Sequence, residues 1–318
     1  VDLTWRALAD SDAPAWVRLM AEAEAVDQVD EHSGVDDYAK LVDDAGPEDT
    51  VAVFDGDTLV GYGIAFGRPG AVEVDRIRLL GAVAPSHRRR GIGAELLRRS
   101  QGAARARHAR LFPDLRLEAV VAAHDRNTDL ATIVAAAGYT ATRWFFDMRA
   151  TLTEDLPRVP VPTGFTLERY RPEFSEALRL LRNDTFAEHW GSTDVDTAFW
   201  ERHFVTSPPL EPTLSAHLRD DETGDLAAFV LSLQHPADTA ARGYKELWVA
   251  DVGTRTAWRG RGLATALLST LLHDARTAGF ATSGLSVDAD NHTGALGVYE
   301  RAGYKVVAKF TQHVLALD

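Results

Sequence analysis

The apolar and polar positions of this chain follow one series of patterns that runs through twice. Residues 50–66 (TVAVFDGDTLVGYGIAF) and 214–233 (LSAHLRDDETGDLAAFVLSL) each hold two apolar runs about a group of turn residues, which predicts a β-hairpin. A further strand follows each, at 72–83 (VEVDRIRLLGAV) and 245–254 (KELWVADVGT). The apolar period then lengthens to that of a helix, through Ala94, Leu96 and Leu97 in one half and Leu263, Ala266, Leu267 and Leu271 in the other. A short strand (116–122 and 283–289), a second helical stretch ending in Ala-Gly-Tyr (125–139 and 288–304) and a β-rich closing segment complete each run.

Strands that alternate with helices in this way predict an α/β protein. Arg88, Gly91 and Gly93 align without gaps on Arg259, Gly262 and Ala264, 171 residues later. That spacing is far too long for a solenoid repeat and predicts duplication of a whole domain. Between the copies Pro157, Pro160 and Pro162 favour extended, non-helical chain. The predicted organisation is therefore a domain over 1–156, a linker at 157–163 and a second domain over 164–318.

In both copies a strand leads through a glycine-arginine loop, SHRRRGIGAELL (86–97) or TAWRGRGLATALL (256–268), into a helix. Amides at such a helix start point at one spot with the positive end of the helix dipole behind them, which makes an anion cradle. Gly260 and Gly262 allow positive φ and close approach, Ala264 opens the helix without crowding, and Arg259 and Arg261 add charge. The loop suits a di-anion such as a pyrophosphate. Neither G-x-x-x-x-G-K-[ST] nor, at these turns, G-x-G-x-x-G is present, so the nucleotide loops with those spacings are unsupported.

The pattern R-x-x-G-x-[GA] after a strand resembles the acetyl-coenzyme A loop of the GNAT superfamily of N-acetyltransferases, and the resemblance covers nearly the whole chain, twice. It implies two tandem GNAT domains, each a mixed, mostly antiparallel twisted sheet flanked by helices, with acetyl-CoA as co-substrate. By that resemblance the coenzyme is held by Arg88, Arg89, Arg90, Gly91, Ile92 and Gly93 in the first copy and by Arg259, Gly260, Arg261, Gly262, Leu263 and Ala264 in the second. It also implies a β-bulge that splays the fourth strand from the fifth. Val252, Gly253 and Thr254 fit that stretch, with Gly253 as the bulge position, although a glycine there equally suits a closely packed helix.

The family's last helix carries N-x-x-A-x-x-x-Y-x-x-x-G-[FY], whose Asn contacts the coenzyme and whose Tyr faces its sulfur. The second copy reads NHTGALGVYERAGY, with Asn291, Tyr299, Gly303 and Tyr304 in place. The first copy puts Val134 or Ala135 where the tyrosine belongs, and neither donates a proton. The resemblance thus implies that the second copy is catalytic, with Tyr299 as acid, and that the first is degenerate. Many members carry a basic glutamate where this chain has Trp248. Glu246, two residues earlier on the same face of an unbroken strand, is the first substitute. Asp251, which needs a bulge to reverse its direction, is the second, and a water relay the third. The acceptor is expected along 182–200, where Phe186, His189 and Trp190 cluster beside Gly191. Helix capping explains the aromatic residues equally well, and His189 equally suits a cation at a helix C-terminus.

Composition narrows the partners. The net charge of −13 argues against nucleic acid. Residues 22–57 hold thirteen carboxylates against the single Lys40, as a solvated acidic face or as a surface that steers a cationic substrate. The absence of cysteine removes disulfides and thiolates, and the eleven histidines show no H-x-x-x-H or H-x-x-E-H spacing, so no metal is expected. No apolar run is long enough to span a bilayer and no secretion signal is evident, which predicts a cytoplasmic protein. The activity that the family resemblance implies is acetyl transfer from acetyl-CoA to a primary amine of a small molecule in a ternary complex. Alternatives are transfer to the amine of a thiol-sugar, to a protein or peptide amine, and coenzyme A binding without catalysis.

Overall fold

The computed structural model describes residues 3–206, 209–290 and 294–317. The first half forms β1 (Leu3–Arg6), α1 (Ala13–Asp27), α2 (Val35–Ala45), β2 (Thr50–Asp55), β3 (Thr58–Gly67), β4 (Val74–Val83), α3 (Ile92–Leu111), β5 (Arg116–His124), α4 (Thr128–Ala136) and β6 (Thr140–Thr151). The second half forms β7 (Phe165–Arg169), α5 (Ser175–Phe186), α6 (Thr197–Trp200), β8 (Ala216–Asp220), β9 (Leu226–Leu233), α7 (Pro236–Arg242) and β10 (Glu246–Thr254). It ends with α8 (Leu263–Thr277), β11 (Thr282–Asp288), α9 (Ala295–Arg301) and β12 (Lys305–Ala316).

Two compact units result, and they do not follow the halves of the sequence. One comprises the chain up to Trp144 together with Phe310 onward; the other is Phe145–Lys309. In the first, β1 to β5 lie side by side in chain order and the end of β12 closes the sheet against β5, from Phe310↔His124 to Ala316↔Glu118. In the second, β7 to β11 lie in chain order and the end of β6 closes the sheet against β11, from Phe145↔Asp288 to Thr151↔Thr282. Each sheet thus takes its sixth strand from the other half of the sequence. Within each unit the strand pairings are antiparallel except β4 with β5 in the first and β10 with β11 in the second.

The expected linker at 157–163 is extended but is packed into the second unit. Ser269 of α8 donates to the Pro157 carbonyl at 2.8 Å and accepts the Val159 amide at 2.9 Å, while Leu156 is buried in the core. The exchanged strands, rather than the prolines, set the division between the units.

The cores lie where helices cover the sheets. Helix α8 turns Leu263, Ala266, Leu267, Leu271 and Ala275 inward at the three- and four-residue spacing of one helical face. They meet Leu247, Val249, Leu285 and Val287 of the central strands. On the opposite face, Leu178 and Leu181 of α5 pack with Phe229 and Leu231.

Candidate active site

The glycine-arginine loop takes the same form twice. In the second unit Gly260 and Gly262 hold φ of +77° and +80°, and in the first Arg89 and Gly91 hold +62° and +81°. A Cβ at 260 or 262 would meet nothing within 4 Å, so the glycines serve backbone conformation and not space. Arg259 Nε donates to the Thr254 carbonyl at 3.1 Å, and Arg88 Nε donates to the Val83 carbonyl at the same distance. Helices α3 and α8 begin directly after these loops, and the amides of their first turns have no partner within the helix.

Beside each loop two parallel strands part. Strands β10 and β11 pair from Glu246↔Thr282 to Val249↔Leu285 and no further. Beyond that point β10 continues along β9 to Thr254↔Ala228, and β11 continues along β6 to Asp288↔Phe145. Strands β4 and β5 part in the same way after Arg78↔Val120. At that opening the first unit holds a cavity of about 710 Å³, lined among others by Trp16, Met20, Leu79, Val121, Leu130 and Ile133.

The bulge lies three residues before the expected position. The β9 register shifts between Val249 and Asp251, which leaves Ala250 as the extra residue. Gly253 is regular strand, and its place is one of close packing: a Cβ there would lie 2.6 Å from Thr185 Oγ1 and 2.7 Å from the Phe229 ring. The shift moves Val252 to the α8 face with Val249 and turns Asp251 and Gly253 toward α5. Strand β4 pairs with β3 without a shift.

Three chemistry-bearing side chains gather near this bulge. Tyr299 of α9 is 8% exposed, and its ring meets Tyr304 edge-on at 6.1 Å. Burial pushes its hydroxyl well above the ordinary tyrosine range, and the negative charge of Asp251 pushes it further. Asp251, largely buried, faces Arg182 of α5, whose Nε lies 3.6 Å from Oδ2. Sequence reasoning did not single out Arg182. The signal lay in the duplication: α1 and α5 each follow a three-residue 3₁₀ turn, which aligns Ala13 with Ser175 and puts Met20 opposite Arg182. By the same alignments Leu80 stands opposite Asp251, and Val134 opposite Tyr299.

Glu246, by contrast, stands at the first position of β10, away from the opening. It is 6% exposed and its carboxylate is fully engaged. Arg149 reaches it at 2.5 and 3.2 Å, Arg242 at 2.7 Å and the Thr282 hydroxyl at 2.9 Å. Those four hydrogen bonds occupy both carboxylate oxygens at the strand end away from the opening, so Asp251 precedes Glu246 as candidate base.

The expected acceptor residues sit at the end of α5. The His189 amide donates to the Phe186 carbonyl at 3.0 Å, and the two rings meet edge-on at 4.5 Å. The Arg182 guanidinium lies 4.9 Å from the Phe186 ring centre. Trp190 tilts against Phe145 at 6.5 Å. Burial pushes the His189 imidazole below its ordinary range, with Asp288 opposing and Arg182 and Arg259 reinforcing the shift. Asn291 lies outside the described residues.

Several carboxylates of the acidic stretch have local partners. Asp27 takes a bidentate pair from Arg88 at 2.6 and 2.7 Å, Glu24 accepts the Asp30 amide at 2.8 Å, and Asp37 caps α2 at the Gly34 amide at 2.7 Å. Among the described residues no group of three His, Asp or Glu is placed to hold a metal ion, and no helix is long and apolar enough to cross a membrane.

Comparison with known proteins agrees with this geometry. The model of the acetyltransferase (GNAT) family matches residues 6–129 and again 175–304. The mycothiol acetyltransferase of Salinispora tropica is 30% identical over 319 residues, covering 96% of this chain and 91% of its own. That of Tsukamurella paurometabola is 30% identical over 92% of this chain and 93% of its own. Among solved structures, a GCN5-related N-acetyltransferase from Sphaerobacter thermophilus superposes with a TM-score of 0.77 at 23% identity, over 99% of this chain and 96% of that one. A tandem GNAT protein from the clavulanic acid biosynthesis pathway does so with a TM-score of 0.74 at 19% identity, over 100% and 99%. With the family's model matched in both halves and relatives aligned end to end, the chain belongs to the GNAT acetyltransferases, as a tandem member and an acyltransferase.

Proposed function

We propose that the second unit moves an acetyl group from acetyl-CoA to the primary amine of a small molecule, by direct attack within a ternary complex. The observation that carries this reading is the asymmetry of the copies: Arg182, Asp251 and Tyr299 meet at the bulged opening of one, where the other has Met20, Leu80 and Val134. The α8 amides and Arg259 and Arg261 would hold the donor's diphosphate, and Val252 to Thr254 the edge along which its pantetheine arm lies. The attacking nitrogen forms a C–N bond to the thioester carbon and gives up a proton toward Asp251. The C–S bond breaks, and Tyr299, kept protonated by burial, returns a proton to the leaving sulfur. Holding both reactants in one cleft supplies much of the rate.

The first unit keeps the loop and the strand opening, which supports coenzyme A binding there without turnover. The mycothiol acetyltransferases at 30% identity favour one refinement, an acceptor amine carried by a thiol-sugar. The test is release of free thiol from acetyl-CoA with a panel of amines that includes desacetyl mycothiol. Thiol release that depends on an amine supports the reading, and none with any amine overturns it.

A further inference from the structure

The cavity of the first unit is larger than an acetyl group needs. At about 710 Å³ it lies in the range of pockets that enclose whole small ligands, whereas acetyl adds a single methyl beyond the thioester carbonyl. One end reaches the glycine-arginine loop at Arg88, Gly91 and Gly93. From there the cavity passes the parted strands β4 and β5 and continues to α1 and α2, at Trp16, Met20 and Leu41.

That inner end is apolar where the second unit is charged. Leu80 stands in the place of Asp251, and Met20 in that of Arg182. Leu80 keeps 38% of its surface open although it sits within β4, and Met20 takes the Tyr62 hydroxyl on its sulfur at 3.5 Å. Carboxylates along the rim are engaged locally: Asp27 by Arg88, Glu24 by the Val29 and Asp30 amides, and Asp37 by the Gly34 amide. His124, also in the wall, accepts the Arg126 amide on Nδ1 at 3.0 Å. An amine entering this end meets leucine and methionine where the second unit offers a carboxylate and a guanidinium. A hydrocarbon chain, by contrast, gains by leaving water for such walls.

We infer that this cavity binds the acyl chain of a medium-chain acyl-CoA, whose diphosphate lies at the loop from Arg88 to Gly93. The inference rests on coenzyme A binding in the first unit and adds a preference for chains longer than acetyl. Met20, Leu80 and Val134 offer the thioester neither a base nor an acid, so the donor is held there and not consumed.

Calorimetry on the full chain with acetyl-, butanoyl-, hexanoyl- and octanoyl-CoA tests this. Donor is expected to bind in both units, and in one of them about three- to fourfold more tightly for each methylene added, so that hexanoyl-CoA exceeds acetyl-CoA by about 10²-fold there. Leu80→Asp, which installs the second copy's residue at an exposed position, should bring that ratio close to one, and Met20→Gln should lower it about tenfold. Thermal melting shows whether each variant is folded. Hexanoyl-CoA bound no more tightly than acetyl-CoA, or a full gain that survives both substitutions, overturns the inference and leaves coenzyme binding and acetyl transfer intact. At most a single equivalent bound of every donor overturns coenzyme binding in the first unit as well.

Discussion

Val134 and Tyr299 stand at one and the same point of the two copies: each carbonyl accepts the amide of the residue five on, Tyr139 or Tyr304, at 3.0 Å. One copy puts an isopropyl group there and the other a phenol. Both residues are buried, so the backbone and its packing do not demand the hydroxyl. Replacing Tyr299 with Phe is expected to lower kcat by about 10²- to 10⁴-fold with little change in acetyl-CoA affinity. Steady-state kinetics beside calorimetry checks this, and an unchanged kcat removes the acid role.

Glu246 and Asp251 should separate by the kind of damage their loss causes. Glu246→Ala leaves Arg149 and Arg242 without their shared partner, and breaking such a buried pair costs about 3 kcal/mol. Asp251→Asn should cut kcat by about 10²-fold or more with a smaller loss of stability. Denaturant melts and turnover of both variants decide the assignment. A stable Glu246→Gln chain as inactive as Asp251→Asn would return the base role to Glu246.

Much of this was legible in the sequence, and what was not has identifiable causes. The duplication and the loop declared themselves through glycine spacing and apolar period, which are local properties, whereas Tyr299 was singled out only by the resemblance of its helix to the family's. The bulge at Ala250 did not, because alanine fits a bulge and a regular strand equally well, whereas Gly253 drew attention for a conformation it does not need. Strand exchange was invisible for a different reason. The sequence of β6 or β12 carries the alternation of a closing strand but no record of which sheet it closes. Arg182 was overlooked because an arginine in a helix reads as solvent-facing until the matching helix shows a methionine.

Gly253→Ala should destabilise the second unit by about 1 to 3 kcal/mol, since the new methyl meets Thr185 and Phe229 inside contact distance. Gly253→Ala with Thr185→Ser should recover little, because the ring remains. Chemical denaturation of both variants measures it.

The two loops predict opposite signs. Gly262→Ala places a side chain at φ +80° and should cost about 1 kcal/mol as well as weaken donor binding, whereas Arg89→Gly relieves φ +62° and should gain about 1 kcal/mol. Paired melts of the two variants against wild type test the difference.

Stability should fall on mild acidification. Burial holds His189 and His217 below the ordinary histidine range, so the unfolded chain binds more protons than the folded one once pH drops beneath about 6.5. The contribution is present above that value and is lost as pH falls through the folded-state values. A melting temperature that declines from pH 7.5 to 5.5, with a shallower decline in His217→Gln, is the expected result.

The closing strands carry a consequence for synthesis. A ribosome delivers residues 3–144 long before Phe310, yet the sheet those residues build lacks its sixth strand until Phe310 to Ala316 emerge. The edge of β5 therefore stands bare throughout translation of the second half. Severing the polypeptide near the prolines would leave two fragments, each holding a strand that belongs to the other, and neither could complete its own sheet.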